Sequence, residues 1–133
     1  VPLLAPALAA TLATWTERRR AHAKYYDNRL KAAGFKVIEP HAKAASVYHL
    51  YVVEVSNRDE TLSHLQRAGI GAGIHYPVPA HLQPALTARG GYRAELPETE
   101  RAAERVLSLP MCADLTEDEA ATVCDTFLAI AKP

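Results

Sequence analysis

Apolar residues recur at helical spacing over the first quarter of the chain. Leu8, Leu12, Trp15, His22, Tyr26 and Leu30 follow steps of three, four or their multiples. Pro6 suits the start of the regular part and Gly34 suits the C′ stop, so the spacing predicts one helix over about residues 3–34. A helix this long at one end of a small domain reads as a bridge to another domain or a partner subunit. Arg18, Arg19 and Arg20 lie on it and read as a solvated face.

The period then shortens to two. Residues 35–38 form a short strand closed by Glu39 and Pro40. Residues 47–55 give the clearest strand, rich in β-branched and aromatic side chains. One face carries Val47, His49, Tyr51, Val53 and Val55, the other Tyr48, Leu50, Val52 and Glu54. Both faces are largely apolar, which predicts a central strand. Asn57 with Glu60 reads as a capping box, opening a helix that turns Leu62 and Leu65 inward and stops at Gly69. Residues 70–76 make a third strand, and strand, helix and strand with short links form an α/β unit.

Residues 85–96 read as a loop containing Gly90, Gly91 and Tyr92. Pro97 suits N1 of a helix over residues 98–106. Residues 107–111 are extended and interrupted by Pro110. Thr116 and Glu119 form a second capping box, opening a last helix with Ala120, Val123, Phe127 and Ile130 on one face. The predicted fold is α+β: a short, mainly antiparallel sheet with helices on one side. It divides into a long helix, residues 1–34, and a single folding unit, residues 35–133.

Composition narrows the function. The 133 residues suffice for one domain, and 49% hydrophobic content argues against disorder. Fifteen basic and fifteen acidic side chains cancel, leaving no global field for nucleic acid. No apolar run reaches about 18 residues, so no membrane partner is expected. Val1 opens no signal-peptide pattern, and a start in mid-pattern without Met reads as a fragment. Cys112 and Cys124 form no CxxC pair; they read as free thiols of a cytoplasmic protein, Cys124 as a small hydrophobe in a helix.

The chemistry concentrates in residues 71–84, which read GAGIHYPVPAHLQP. An apolar run ends in His75 and Tyr76, and three prolines follow within eight residues. Proline fixes φ and removes a donor, so the strand must end there in a stiff loop carrying His81 and Gln83. An imidazole and a phenol at a strand end supply directional hydrogen bonds to hydroxyls or phosphates of a sugar-like molecule. A structural role fits the same residues as well, with His75 capping a loop carbonyl and Tyr76 packing. The six histidines show no zinc spacing, so no metal site is expected. Gly71 and Gly73 lack the third glycine and following helix of a dinucleotide fingerprint.

Taken in order, these segments resemble the DegT/DnrJ/EryC1/StrS family of pyridoxal-phosphate aminotransferases acting on nucleotide-linked keto-sugars. Residues 71–84 are similar to its small-domain hallmark. WTERRR at residues 15–20 resembles its connecting helix, YHLYVV at 48–53 a small-domain strand, and LSLPM at 107–111 the stretch before the last helix. The resemblance covers about residues 8–130. It implies the C-terminal small domain of a type I, aspartate-aminotransferase-like enzyme, with pyridoxal 5′-phosphate bound mainly by a large domain outside this chain. It further implies a homodimer, an amino donor such as glutamate, and a keto-sugar nucleotide as acceptor. His75, Tyr76, His81, Gln83 and the weaker candidate His49 would frame the sugar.

None of Lys24, Lys31, Lys36, Lys43 and Lys132 sits in the family's lysine context, so the catalytic lysine is expected elsewhere and the isolated chain is expected to be inactive. Two other readings stand beside this one: a free-standing ligand-binding or oligomerisation module of the same fold, and part of a sugar dehydratase.

Overall fold

The computed structural model describes residues 4–88 and 95–133. Helix α1 spans Leu4–Ala32, strand β1 Tyr51–Glu54 and helix α2 Arg58–Arg67. A 3-10 turn at Ala80–Leu82 and a short helix α3, Pro84–Thr87, follow. Helix α4, Pro97–Arg105, runs directly into strand β2, Val106–Leu109, and helix α5 is Glu117–Leu128. The described elements make an α+β fold around an antiparallel pair, with Tyr51 opposite Leu109 and Val53 opposite Leu107.

Three helix ends follow local chemistry. Gly34 at φ +84° and Gly69 at φ +77° take the left-handed conformation that glycine adopts without a Cβ clash. At each, the next residue's amide bonds back to the helix: Phe35 to the Leu30 carbonyl at 3.0 Å and Ile70 to the Leu65 carbonyl at 2.9 Å. Both apolar pairs lie in the core, which completes a Schellman motif. Thr116 Oγ1 accepts from the Glu119 amide at 3.2 Å, and Glu119 Oε2 accepts from the Thr116 amide at 2.8 Å. The predicted capping box is therefore present, as is Pro97 in the first turn of α4.

The core lies between α1, α5, α2 and the strand pair. Tyr26, Leu30, Val53, Leu65, Leu107 and Phe127 are fully buried. Each such side chain contributes about 1.5–3 kcal/mol of burial. The Phe35 and Phe127 rings lie 5.0 Å apart and those of Tyr26 and Tyr51 4.9 Å apart. The buried phenols keep partners: Tyr26 donates to the Pro110 carbonyl at 3.0 Å and Tyr51 to Asp27 at 2.7 Å. Burial foremost holds both well above the usual phenol range. On α1, an ion pair from Arg29 reaches Asp125 of α5.

Several expectations need correction. Residues 35–38 are not a strand; one bridge, Val37 to Val53, remains. Residues 70–76 likewise reduce to a bridge between Gly73 and Ser108. Gly71 and Gly73 have no side chains to pack across a ladder, and Pro77 stops it. The strand expected over 47–55 is shorter, because Tyr48 sits at φ +46°, outside strand conformation. Of the face that carries Val47, His49, Tyr51, Val53 and Val55, the last three are buried and the first two exposed.

Asn57 does not cap α2 through its side chain. Its amide nitrogen donates to the Ile130 carbonyl at 3.0 Å, and its oxygen accepts from the Lys132 amide at 2.9 Å. The residue clamps the end of the chain instead. The short helix Pro84–Thr87 overlaps the start of the expected loop 85–96, while Gly90, Gly91 and Tyr92 lie outside the described residues. Along the described part of the α1 stripe, Leu12 and Trp15 are exposed and burial begins at Ala23. The arginine face is partly engaged, as Arg20 Nε donates to the Ser46 carbonyl at 3.0 Å and Arg18 pairs with Asp114 at 3.6 Å.

Candidate functional site

The corner begins where Gly73 meets β2. Gly73 and Ser108 exchange backbone hydrogen bonds of 3.1 and 2.8 Å. A Cβ at residue 73 would lie 3.2 Å from His75 Cε1, so glycine leaves the space into which the His75 ring folds back. That ring reaches Ser108, with Nδ1 3.0 Å from Oγ. Ser108 is 4% exposed, a polar side chain in an otherwise apolar strand, and the imidazole is its partner. Nε2 of His75 makes no hydrogen bond to another described residue.

The peptide joining His75 to Tyr76 is cis. The two rings meet edge to face at 5.9 Å, and Tyr76 is 75% exposed. A free imidazole nitrogen beside an exposed phenol offers one ring donor or acceptor and a hydroxyl that serves as both. That pairing suits a hydroxylated or phosphorylated ligand.

His81 faces inward, whereas Gln83 is exposed and bonds within its own loop. His81 is buried, with Nε2 3.0 Å from Glu100 Oε1 of α4. That bond first, and the Leu96 amide second, hold the Glu100 carboxyl below the usual carboxylate range. Gln83 donates to the Val78 carbonyl at 2.9 Å and closes the loop on itself. His49 is exposed on the bend before β1, and no hydrogen bond links it to the other four candidates. The structure thus pairs His75 with Tyr76, uses His81 and Gln83 to hold their loop, and leaves His49 apart.

Sequence reasoning missed Ser108 and Glu100. A lone serine between Leu107 and Leu109 was a usable signal, since a buried hydroxyl needs a partner. Glu100 carried none, being one of several acids at the start of α4.

All five lysines are exposed, and Lys31 is paired with Glu39 at 2.7 Å. Schiff-base chemistry needs a lysine held inside a pocket and stripped of water. Among the described residues, no lysine is held in that way.

Comparison with known proteins places the chain in a family. Residues 7–128 match the DegT/DnrJ/EryC1/StrS aminotransferase family, and the chain belongs to that family. It is 39% identical over 119 residues to the dTDP-3-amino-3,4,6-trideoxy-alpha-D-glucose transaminase of Streptomyces venezuelae, covering 87% of this chain and 31% of that protein. It is 40% identical over 108 residues to the "Pleiotropic regulatory protein" of Geobacillus stearothermophilus, covering 79% of this chain and 29% of that protein. Among solved structures, S. venezuelae DesV in complex with a ketimine intermediate superposes with a TM-score of 0.78 at 37% identity, over 91% of this chain and 33% of that one. The chain thus spans between 29% and 33% of the length of these relatives.

Proposed function

We propose that this chain is the C-terminal portion of a pyridoxal-phosphate-dependent aminotransferase that transfers an amino group, with glutamate as donor, to a nucleotide-linked keto-sugar. The observation that carries the reading is the family match over residues 7–128, joined to the named sugar transaminase among the relatives. The fold is then the small domain of a type I enzyme, with residues 1–34 as connecting helix and residues 35–133 as the folding unit.

The cofactor, which supplies an electron sink for amino-group chemistry when bound, is held mainly by residues outside this chain. The part played here is positional. Nε2 of His75 and the hydroxyl of Tyr76 bind the sugar end of the substrate. His81 and Gln83 belong to the same wall and keep it stiff. His49 lies apart from this group and has the weakest support of the five. The complete enzyme works as a homodimer, to which α1 contributes.

The test is an assay of the complete polypeptide that carries this chain. Supplied with pyridoxal phosphate, glutamate and a dTDP- or UDP-linked keto-sugar, it is expected to form the amino sugar, seen as the mass shift of the product. Turnover of the same sugar without incorporation of glutamate nitrogen contradicts the reading and favours a dehydratase. For this chain alone, borohydride treatment with pyridoxal phosphate is expected to leave no site-specific adduct on any of its five lysines.

A further inference from the structure

Glu100 lies in the first turns of α4, and its Oε1 stands where two chain segments meet. His81 Nε2 is 3.0 Å away, and the Leu96 amide donates to the same oxygen at 3.3 Å. His81 belongs to the 3-10 turn that ends the proline-rich corner, and Leu96 is the N-cap of α4. One carboxylate oxygen therefore joins the end of the corner to the start of α4. The imidazole end of this bond is only 6% exposed, so water competes poorly for it.

Among the described residues the corner has two other side-chain ties, beside the backbone bonds of Gly73 to Ser108. His75 holds its front to Ser108, and Gln83 closes its middle on the Val78 carbonyl. The front tie reaches the sheet, whereas the Gln83 tie is internal to the loop. Fixing a loop that presents an exposed phenol requires an anchor at each end, and the His81–Glu100 bond is the anchor at the far one.

We propose that Glu100 is a positioning residue: a clasp that fixes the far end of the corner through His81 and so sets where Tyr76 is presented to substrate. Glu100 itself touches no substrate. Gln at this position keeps an oxygen able to accept from both donors, whereas Ala removes it. The geometry of the acceptor, more than its charge, is what the corner needs.

Two readouts on the complete polypeptide test this. The effect on substrate affinity rests on the aminotransferase reading above; the effect on amide exchange does not. In Glu100→Ala, the amides of Leu82 and Gln83, bonded to the carbonyls of Pro79 and Ala80, are expected to exchange about tenfold faster, the loss of one hydrogen bond whose imidazole end is buried. Exchange at Val53 and Leu107 stays unchanged. The KM for the keto-sugar nucleotide rises about tenfold with kcat within about twofold. Glu100→Gln restores both to within about twofold of the parent. Where the Ala variant does not fold, Glu100→Asp, one methylene short of both donors, carries the same expectations. Unchanged exchange at Leu82 and Gln83 overturns the clasp whether or not the protein is an aminotransferase. Faster exchange with an unchanged KM overturns its role in presenting substrate.

Discussion

His75 Nδ1 lies 3.0 Å from Ser108 Oγ, across 33 positions of sequence, and ties the front of the proline-rich corner to the buried strand β2. The bond accounts for one of the two ring nitrogens and fixes the plane of the ring. The other makes no hydrogen bond to another described residue.

Ser108→Ala removes the hydroxyl and leaves the His75 ring free to turn toward water. Because the imidazole is solvent-accessible, the cost to stability is expected to be about 1 kcal/mol, not that of an orphaned buried group. Urea denaturation checks this as a lowered midpoint with an unchanged slope.

Gly69 and Gly71 separate two uses of glycine two residues apart. Neither has a neighbour within 4 Å of a built Cβ, but only Gly69 sits at positive φ, +77°. Gly69→Ala is expected to cost about 1 kcal/mol through backbone strain alone. Gly71→Ala is expected to stay within about 0.5 kcal/mol of the parent. Equal effects in denaturant titration count against the Schellman end of α2.

The two thiols differ in environment. Cys112 is exposed and Cys124 is buried in α5, where burial pushes its thiol up to about 11. Titration of the native chain with a disulfide reagent is expected to modify Cys112 promptly and Cys124 only on unfolding. Rapid reaction of both contradicts the packing of α5.

The capping box of α5 gives a pH signature. The Thr116 amide first, and its hydroxyl second, lower the Glu119 carboxyl below its ordinary value. A group depressed in the folded state contributes stability above its unfolded pKa and loses it as pH falls through the folded one. Thr116→Ala is expected to cost about 1 kcal/mol near neutral pH. The gap between variant and parent in Tm should narrow as Glu119 is protonated.

Local signals carried much of the fold, and non-local pairing decided the rest. Gly34, Gly69, Pro97 and the Thr116 box were legible because each acts within one helical turn. The strands expected at 35–38 and 70–76 shrank to single bridges because ladder length depends on partners far along the chain. Asn57 had the right identity for a cap, yet the C-terminal segment, more than 70 residues later, took its amide. The corner was visible from its prolines. Its fastening was not: Ser108 and Glu100 lie 33 and 19 residues from the histidines they hold.

The central claim is that this corner binds substrate while the reactive lysine lies elsewhere. The most direct measurement is the steady-state rate of the complete polypeptide carrying His75→Ala, with a nucleotide-linked keto-sugar, per folded molecule. The expected result is a fall in kcat/KM per folded molecule of about tenfold or more, the loss of one hydrogen bond to substrate and of the ring that orients Tyr76, alongside a modest fall in Tm because the buried Ser108 hydroxyl loses its partner. A lowered Tm with unchanged kcat/KM per folded molecule would contradict it and make His75 a structural tie alone.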